Sequence, residues 1–140
     1  MNPKSQIRAA IADTLKLKND FLITGHGNPD GDSLGSMCAL GIGLRQLGKR
    51  VTMLSTDGVP DLYKFLPGSC NIVTAVPEGI TCDVAITVDC DGLERVGDAL
   101  DAVRSCGTLI EIDHHPGTKR STPLALVDSS AASTAEVLLP

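Results

Sequence analysis

Aromatic residues are nearly missing from this 140-residue chain: Phe21, Tyr63 and Phe65 are all it has, and tryptophan is absent. So few rings leave no row of platforms on which unpaired bases could stack, which argues against a stacking single-strand binder. A basic excess is missing too. Lys and Arg number 12 against 17 Asp and Glu, a net charge of -5, so the overall balance signals no long nucleic-acid track, although a local groove could turn positive once cations bind. Small phosphorylated substrates fit that balance better. No stretch approaches the roughly 18 apolar residues of a membrane span. Met1 to Asp20 interleaves Lys4, Arg8, Asp13, Lys16 and Lys18 with apolar residues and holds no signal-peptide core. Paired CxxC spacings are lacking as well. Cys38, Cys70, Cys82, Cys90 and Cys106 are odd in number and widely separated, which excludes a zinc knuckle and reads as buried free thiols in a reducing cytoplasm. The chain shows no internal repeat, low-complexity tract or linker.

What is present is the material of one folded domain, 42% hydrophobic and 21% charged. Ile7, Ala10, Ile11 and Leu15 recur at helical spacing, which predicts an amphipathic helix over Pro3 to Leu17. Phe21 to Thr24 reads as a short buried strand ending at Gly25 and His26. A polar turn with Asn28, Pro29, Asp30 and Gly31 then leads to a helix from about Ser33 to Leu47, stopped by Gly48. Val51 to Leu54 is a second strand, Pro60 to Leu66 a short helix, and Ile72 to Val76 a further short strand. Asp83 to Val88 is β-branched and almost continuously apolar, as a strand covered on both faces would be, and it delivers Asp89 at its carboxyl end. Leu109 to Ile112 does the same for Asp113, His114 and His115. Alternating strands and helices predict an α/β domain with a mainly parallel sheet flanked by helices. Ligand crevices of such sheets lie beyond the carboxyl ends of the strands, so three strands would send acidic and imidazole groups to one edge.

All three histidines sit among carboxylates: His26 within Gly25 to Asp32, and His114 and His115 directly after Asp113. Imidazole nitrogens mixed with carboxylate oxygens suit Mn²⁺ and related divalent ions better than an all-oxygen cage or a thiolate site does. Blander readings exist for each piece. Asn-Pro and Asp-Gly are turn formers, Asp32 or Ser33 could merely cap the helix, and Asp89 with Asp91 could be a polar strand end. Taken together, the clusters favour a metal site. Rival motifs fail on their letters. The glycine fingerprint for dinucleotides has Asp30 where close packing needs Gly, a calcium loop starting at Asp30 has Gly41 at its twelfth position, and Ser33 and Ser36 lack an independent histidine base.

His26-Gly-Asn-Pro-Asp30-Gly-Asp32-Ser-Leu-Gly-Ser, the later Asp89, and Asp113-His114-His115 resemble three ordered motifs of the DHH phosphoesterase superfamily. That superfamily includes single-strand DNA exonucleases, family II pyrophosphatases, cyclic dinucleotide phosphodiesterases and oligoribonuclease/pAp phosphatases, where pAp is 3′-phosphoadenosine 5′-phosphate. Gly31, the Gly-Ser after Leu34, Phe65 to Gly68 and Ala131 to Glu136 look most like the last branch. The resemblance implies that His26 and Asp30 bind one Mn²⁺, that Asp32 and His114 bind a second, and that Asp89 bridges them. Co²⁺ or Mg²⁺ are compatible with the same donors. It further implies that Asp113 orients the neighbouring imidazole and that His115 faces the phosphate, with two ions activating a water for in-line displacement. The implied substrates are short RNA or a phosphorylated nucleotide. Asp91 receives no role.

The chain also departs from the pattern. Relatives carry a fourth-motif aspartate on a strand after the Ser-Thr-Ala-Glu helix, and a smaller substrate-binding domain of the DHHA1 type beyond it; this sequence stops at Pro140. The expectation is therefore most of a DHH catalytic domain, as a fragment. A different reading is a truncated module that binds metal or phosphate with little turnover. The apolar end Val137, Leu138 and Leu139 predicts poor solubility or self-association, a homodimer included.

Overall fold

A computed structural model describes residues 2–80 and 82–139. Its centre is a six-stranded sheet in which every pairing is parallel, with strand order β3-β2-β1-β4-β5-β6. The strands are β1 (Asp20–Thr24), β2 (Arg50–Leu54), β3 (Ile72–Val73), β4 (Val84–Val88), β5 (Thr108–Asp113) and β6 (Ala125–Val127). The helices are α1 (Pro3–Leu17), α2 (Gly31–Gln46), α3 (Leu100–Ser105) and α4 (Thr134–Val137). The expected α/β class with a parallel sheet is observed.

Side chains alternate across this sheet and build two cores. Phe21, Ile23, Met53, Val84, Ile86, Val88, Ile110 and Ile112 face Ile11 of α1, Met37 and Leu44 of α2, and Val137 of α4. On the opposite face Leu22, Leu54 and Ala85 meet Val96, Ala99 and Val103 of the 3₁₀ segment Leu93–Ala99 and α3. β4 is buried at all five positions, which is why its sequence reads as a continuous apolar run rather than an alternation.

Helix α1 has the limits its apolar spacing predicts, with Asn2 accepting the Ser5 N–H at 2.8 Å and Pro3 in the first turn. Helix α2 begins earlier than expected. Its cap is Asp30, which accepts the Ser33 N–H at 2.9 Å, so neither Asp32 nor Ser33 has that task. At its other end Gly48 adopts φ +79, and the Lys49 N–H reaches back to the Leu44 carbonyl, a left-handed helix stop that favours glycine. Pro60 to Leu66 forms only the 3₁₀ turn Asp61–Tyr63, and the strand expected to Val76 ends at Val73. Helix α3 and the three-residue β6 have no counterpart in the sequence expectation, because Gly97 interrupts the helical pattern of the first and the second is too short for a periodicity.

The cysteine reading needs correction. Cys82 and Cys106 form a disulfide, Cys70 is exposed, and only Cys38 and Cys90 are buried free thiols. Twenty-four residues separate the bonded pair in sequence, but β4 and β5 pair from Val84 and Thr108 onward, which brings the two preceding segments together. The thiol argument for a reducing compartment does not survive this. Among the described residues no helix is long and apolar enough to cross a membrane. Val137 of the apolar end folds into the core at 3% exposure, whereas Leu139 stays 63% exposed.

Candidate metal centre

Strand order reverses between β1 and β4: the chain runs outward through β2 and β3, then returns to lay β4 on the other side of β1. Crevices open at such a switch point, beyond the carboxyl ends of the strands. Gly25 leaves β1 there in a space that admits no side chain, since an added Cβ would stand 2.3 Å from Ser33 Oγ and 3.1 Å from the Val88 carbonyl. The next residue is His26. Its Nδ1 lies 2.6 Å from the Gly27 carbonyl, which can only accept, so Nδ1 donates there and Nε2 is the ring nitrogen turned toward the carboxylates. Nε2 is 3.4 Å from Asp89 Oδ2 and 3.8 Å from Asp30 Oδ2. The loop itself is pinned by the Gly27 N–H to the Arg95 carbonyl at 2.9 Å and by the Asn28 N–H to Asp57 Oδ2 at 2.6 Å.

Asp89 follows β4 in a left-handed conformation, φ +57, held by its N–H on the Ile112 carbonyl at 3.0 Å. Its side chain is 2% exposed and stands between the histidines, with Oδ1 3.4 Å from His114 Nε2 and 3.8 Å from His115 Nδ1. The Thr134 hydroxyl donates to Oδ1 at 3.2 Å. Asp32, on the first turn of α2, has Oδ2 3.3 Å from His114 Nε2 and accepts the Thr134 and Ala135 N–H groups at 2.9 and 3.1 Å. Asp113 closes β5 fully buried. Its Oδ1 is 2.7 Å from His115 Nδ1 and its Oδ2 is 2.5 Å from the Thr118 hydroxyl, so this carboxylate orients the second imidazole of the pair.

Charge has accumulated here beyond what the chain neutralises. Burial pushes the Asp89 carboxyl up to about 7, the charges of Asp32 and Asp30 add to the rise, and the Thr134 hydroxyl opposes it. Burial works against ionisation of Asp32, but the Thr134 and Ala135 N–H groups together with Asp89 and His114 outweigh it and hold that carboxyl below its ordinary range. Burial disfavours the His115 imidazolium, yet Asp113 overcomes it and raises the ring. Two sets of donor atoms, His26-Asp30-Asp89 and Asp89-His114-His115, each lie within 4.8 Å of one another and share Asp89. At His26, Nε2 faces the Asp89 and Asp30 carboxylate oxygens at 3.4 and 3.8 Å, beyond a good direct hydrogen bond, as donors gathered around a shared cation would. Mixed imidazole and carboxylate donors suit a divalent transition ion, so the residues fit a metal.

All seven residues singled out in the sequence, His26, Asp30, Asp32, Asp89, Asp113, His114 and His115, thus converge on one edge of the sheet. By distance, His115 joins the second donor set, while Asp32 is held by backbone N–H groups as well as facing His114. Thr134, Thr118 and Arg95 were not anticipated. Thr134 falls in the string Ala131 to Glu136, whose letters were noted for their resemblance, but no local signal says that its hydroxyl meets a carboxylate 45 positions away. An open cleft of about 310 Å³ beside the centre is lined by His26, Asp30, Asp89, Asp91, Arg95 and His115.

A doubly wound parallel sheet with a histidine-carboxylate centre at its switch point defines the class: an α/β domain whose clustered donors could hold a metal ion. Residues 20–139 match the DHH family, N-terminal domain, and the chain belongs to that family. It is 32% identical over 132 residues to the bifunctional oligoribonuclease and PAP phosphatase NrnA of Thermus thermophilus, covering 91% of this chain and 38% of that protein. The protein of the same name from Bacillus subtilis is 27% identical over 135 residues, covering 94% and 41%. A crystal structure of an exopolyphosphatase-related protein from Bacteroides fragilis superimposes with a TM-score of 0.83 at 26% identity, covering 95% of this chain and 42% of that one. The chain thus spans about two fifths of the length of these relatives.

Proposed function

We propose that this domain hydrolyses phosphate esters of short oligoribonucleotides or of pAp with two divalent cations, Mn²⁺ first among them. The observation that carries this reading is Asp89, one buried carboxylate whose two oxygens face His26 Nε2 and His114 Nε2 at 3.4 Å each. His26 and Asp30 would hold one cation and Asp32 and His114 the other, with Asp89 within reach of both pairs. When bound, such a pair supplies water activation and neutralises charge on the phosphoryl oxygens. The chain's own groups do the rest. His115, fixed through Nδ1 by Asp113, donates from Nε2 to a phosphoryl oxygen, and its raised proton affinity favours the charged donor. Asp32 stays ionised because the Thr134 and Ala135 N–H groups hold it so. The attacking water gives one proton to solvent as its oxygen bonds to phosphorus, the ester P–O bond breaks, and the departing oxygen takes a proton from solvent.

The substrate classes are those in the names of the two NrnA relatives. A cytoplasmic placement draws no support from the cysteines. The test is hydrolysis of a 5′-labelled diribonucleotide and of pAp, each with and without Mn²⁺. Turnover that requires the cation is the expected result. Measured Mn²⁺ binding without turnover of either would leave a binding module in place of an enzyme.

A further inference from the structure

An arginine lines the cleft, and neither metal binding nor the Asp113-His115 pair uses it. Arg95 stands there among two imidazoles and the three carboxylates of Asp30, Asp89 and Asp91. Its Nε is 3.2 Å from Asp91 Oδ1, and the two side chains are 63% and 37% exposed. An ion pair this open to water stabilises a fold by about 1 kcal/mol at most, so stability is a weak reason for it to sit at this spot. The backbone places it firmly. The Arg95 carbonyl accepts the Gly27 N–H at 2.9 Å, which ties it to the His26 loop. Its own N–H donates to the Gly92 carbonyl at 2.9 Å, and the Asp91 carbonyl accepts the Lys119 N–H at 3.3 Å from the loop beyond the histidine pair. The contact with Asp91 goes through Nε, so the two terminal nitrogens keep their fork for a planar or tetrahedral oxyanion.

We propose that Arg95 binds a second phosphate of the substrate, adjacent to the one being cleaved, and that Asp91 positions its guanidinium for that contact. The proposal rests on the phosphoesterase reading above and assigns the specificity it leaves open. Cations at the centre neutralise the reacting phosphate. A neighbouring phosphate would otherwise face a carboxylate-lined wall, and a guanidinium is the group that meets a phosphate with two parallel hydrogen bonds. Both pAp and an oligonucleotide carry such a second phosphate, whereas adenosine 3′-phosphate, the AMP used below, carries only the phosphate taken as the reacting one.

The test is calorimetric binding of pAp and of AMP to the full chain in Mn²⁺, for the wild type and for Arg95→Ala, Arg95→Lys and Asp91→Asn. Arg95→Ala should weaken pAp by about tenfold to a hundredfold and AMP by less than about twofold, the loss of one charge-assisted pair. Lys should restore part of the loss, since it returns the charge without the fork. Asp91→Asn should weaken pAp by about two- to fivefold, with Mn²⁺ affinity unchanged. Equal losses for pAp and AMP, an unchanged pAp affinity, or a wild type that does not prefer pAp would each overturn the assignment. Should Arg95→Ala fail to fold, the Lys variant and the Asp91 variant decide it. Arg95-dependent preference for pAp without hydrolysis would reject the enzyme reading and keep the phosphate site.

Discussion

At the scale of single residues, Asp89 concentrates the properties of the centre. It is buried, held in a left-handed backbone conformation that Asp tolerates better than most residues, and within 3.4 Å of both His26 and His114. Asp89→Asn keeps the shape and removes the charge that both donor sets share. Its Mn²⁺ affinity should fall at least about a hundredfold in calorimetry, while circular dichroism stays that of the wild type. A pH consequence follows from the raised carboxyl. The folded chain holds this proton more tightly than the unfolded chain does, so without cation the contribution is fully present below the ordinary carboxylate range and is lost as pH rises through about 7. In chelator, the melting temperature of the wild type relative to Asp89→Asn should therefore drop between pH 5 and pH 8, a window set by that value of about 7. Saturating Mn²⁺ should abolish the drop. A difference that is flat across the window in chelator would mean that Asp89 is not the strained group.

At the scale of elements, the short helix α4 does more than its four residues suggest. Ser133 Oγ accepts the Glu136 N–H at 3.1 Å and Glu136 Oε2 accepts the Ala132 N–H at 2.7 Å, a reciprocal box that sets the helix start. Set in that way, Thr134 and Ala135 aim their N–H groups at Asp32 and the Thr134 hydroxyl at Asp89. Thr134→Val keeps the volume and β-branching and deletes only the hydroxyl. It should cost about 1–2 kcal/mol in urea denaturation and lower Mn²⁺ affinity about tenfold, because a supporting bond to a ligand is lost while the ligands remain. An unchanged Mn²⁺ affinity would reduce Thr134 to a packing residue.

At the scale of the whole molecule, the sheet order decides what meets what. The covalent link Cys82–Cys106 joins the segments entering β4 and β5 at the edge opposite the centre, closing a loop with a sequence separation of 24. In denaturant the protein should show three titratable thiols before reduction and five after. Replacing Cys82 by Ser should destabilise by about 3 kcal/mol under oxidising conditions and leave Mn²⁺ affinity unchanged. Five thiols before reduction would remove the bond. What the sequence by itself determined is whatever depends on neighbours within a turn or a strand. Apolar spacing and the Asn2-Pro3 start set α1, the β-branched run set β4, and each strand carries its acidic or imidazole residues directly at its carboxyl end. Because these are local, the parallel α/β class and the seven residues that the sheet gathers into the candidate centre were legible in the letters. Only the tertiary structure decided that Asp30 rather than Asp32 caps α2, that Asp32 takes N–H groups from residues 102 and 103 positions away, that Arg95 stands in the cleft, and that Cys82 meets Cys106. Those facts follow from which strands lie side by side, and strand order is a balance of burial over both faces of the sheet that no single segment carries.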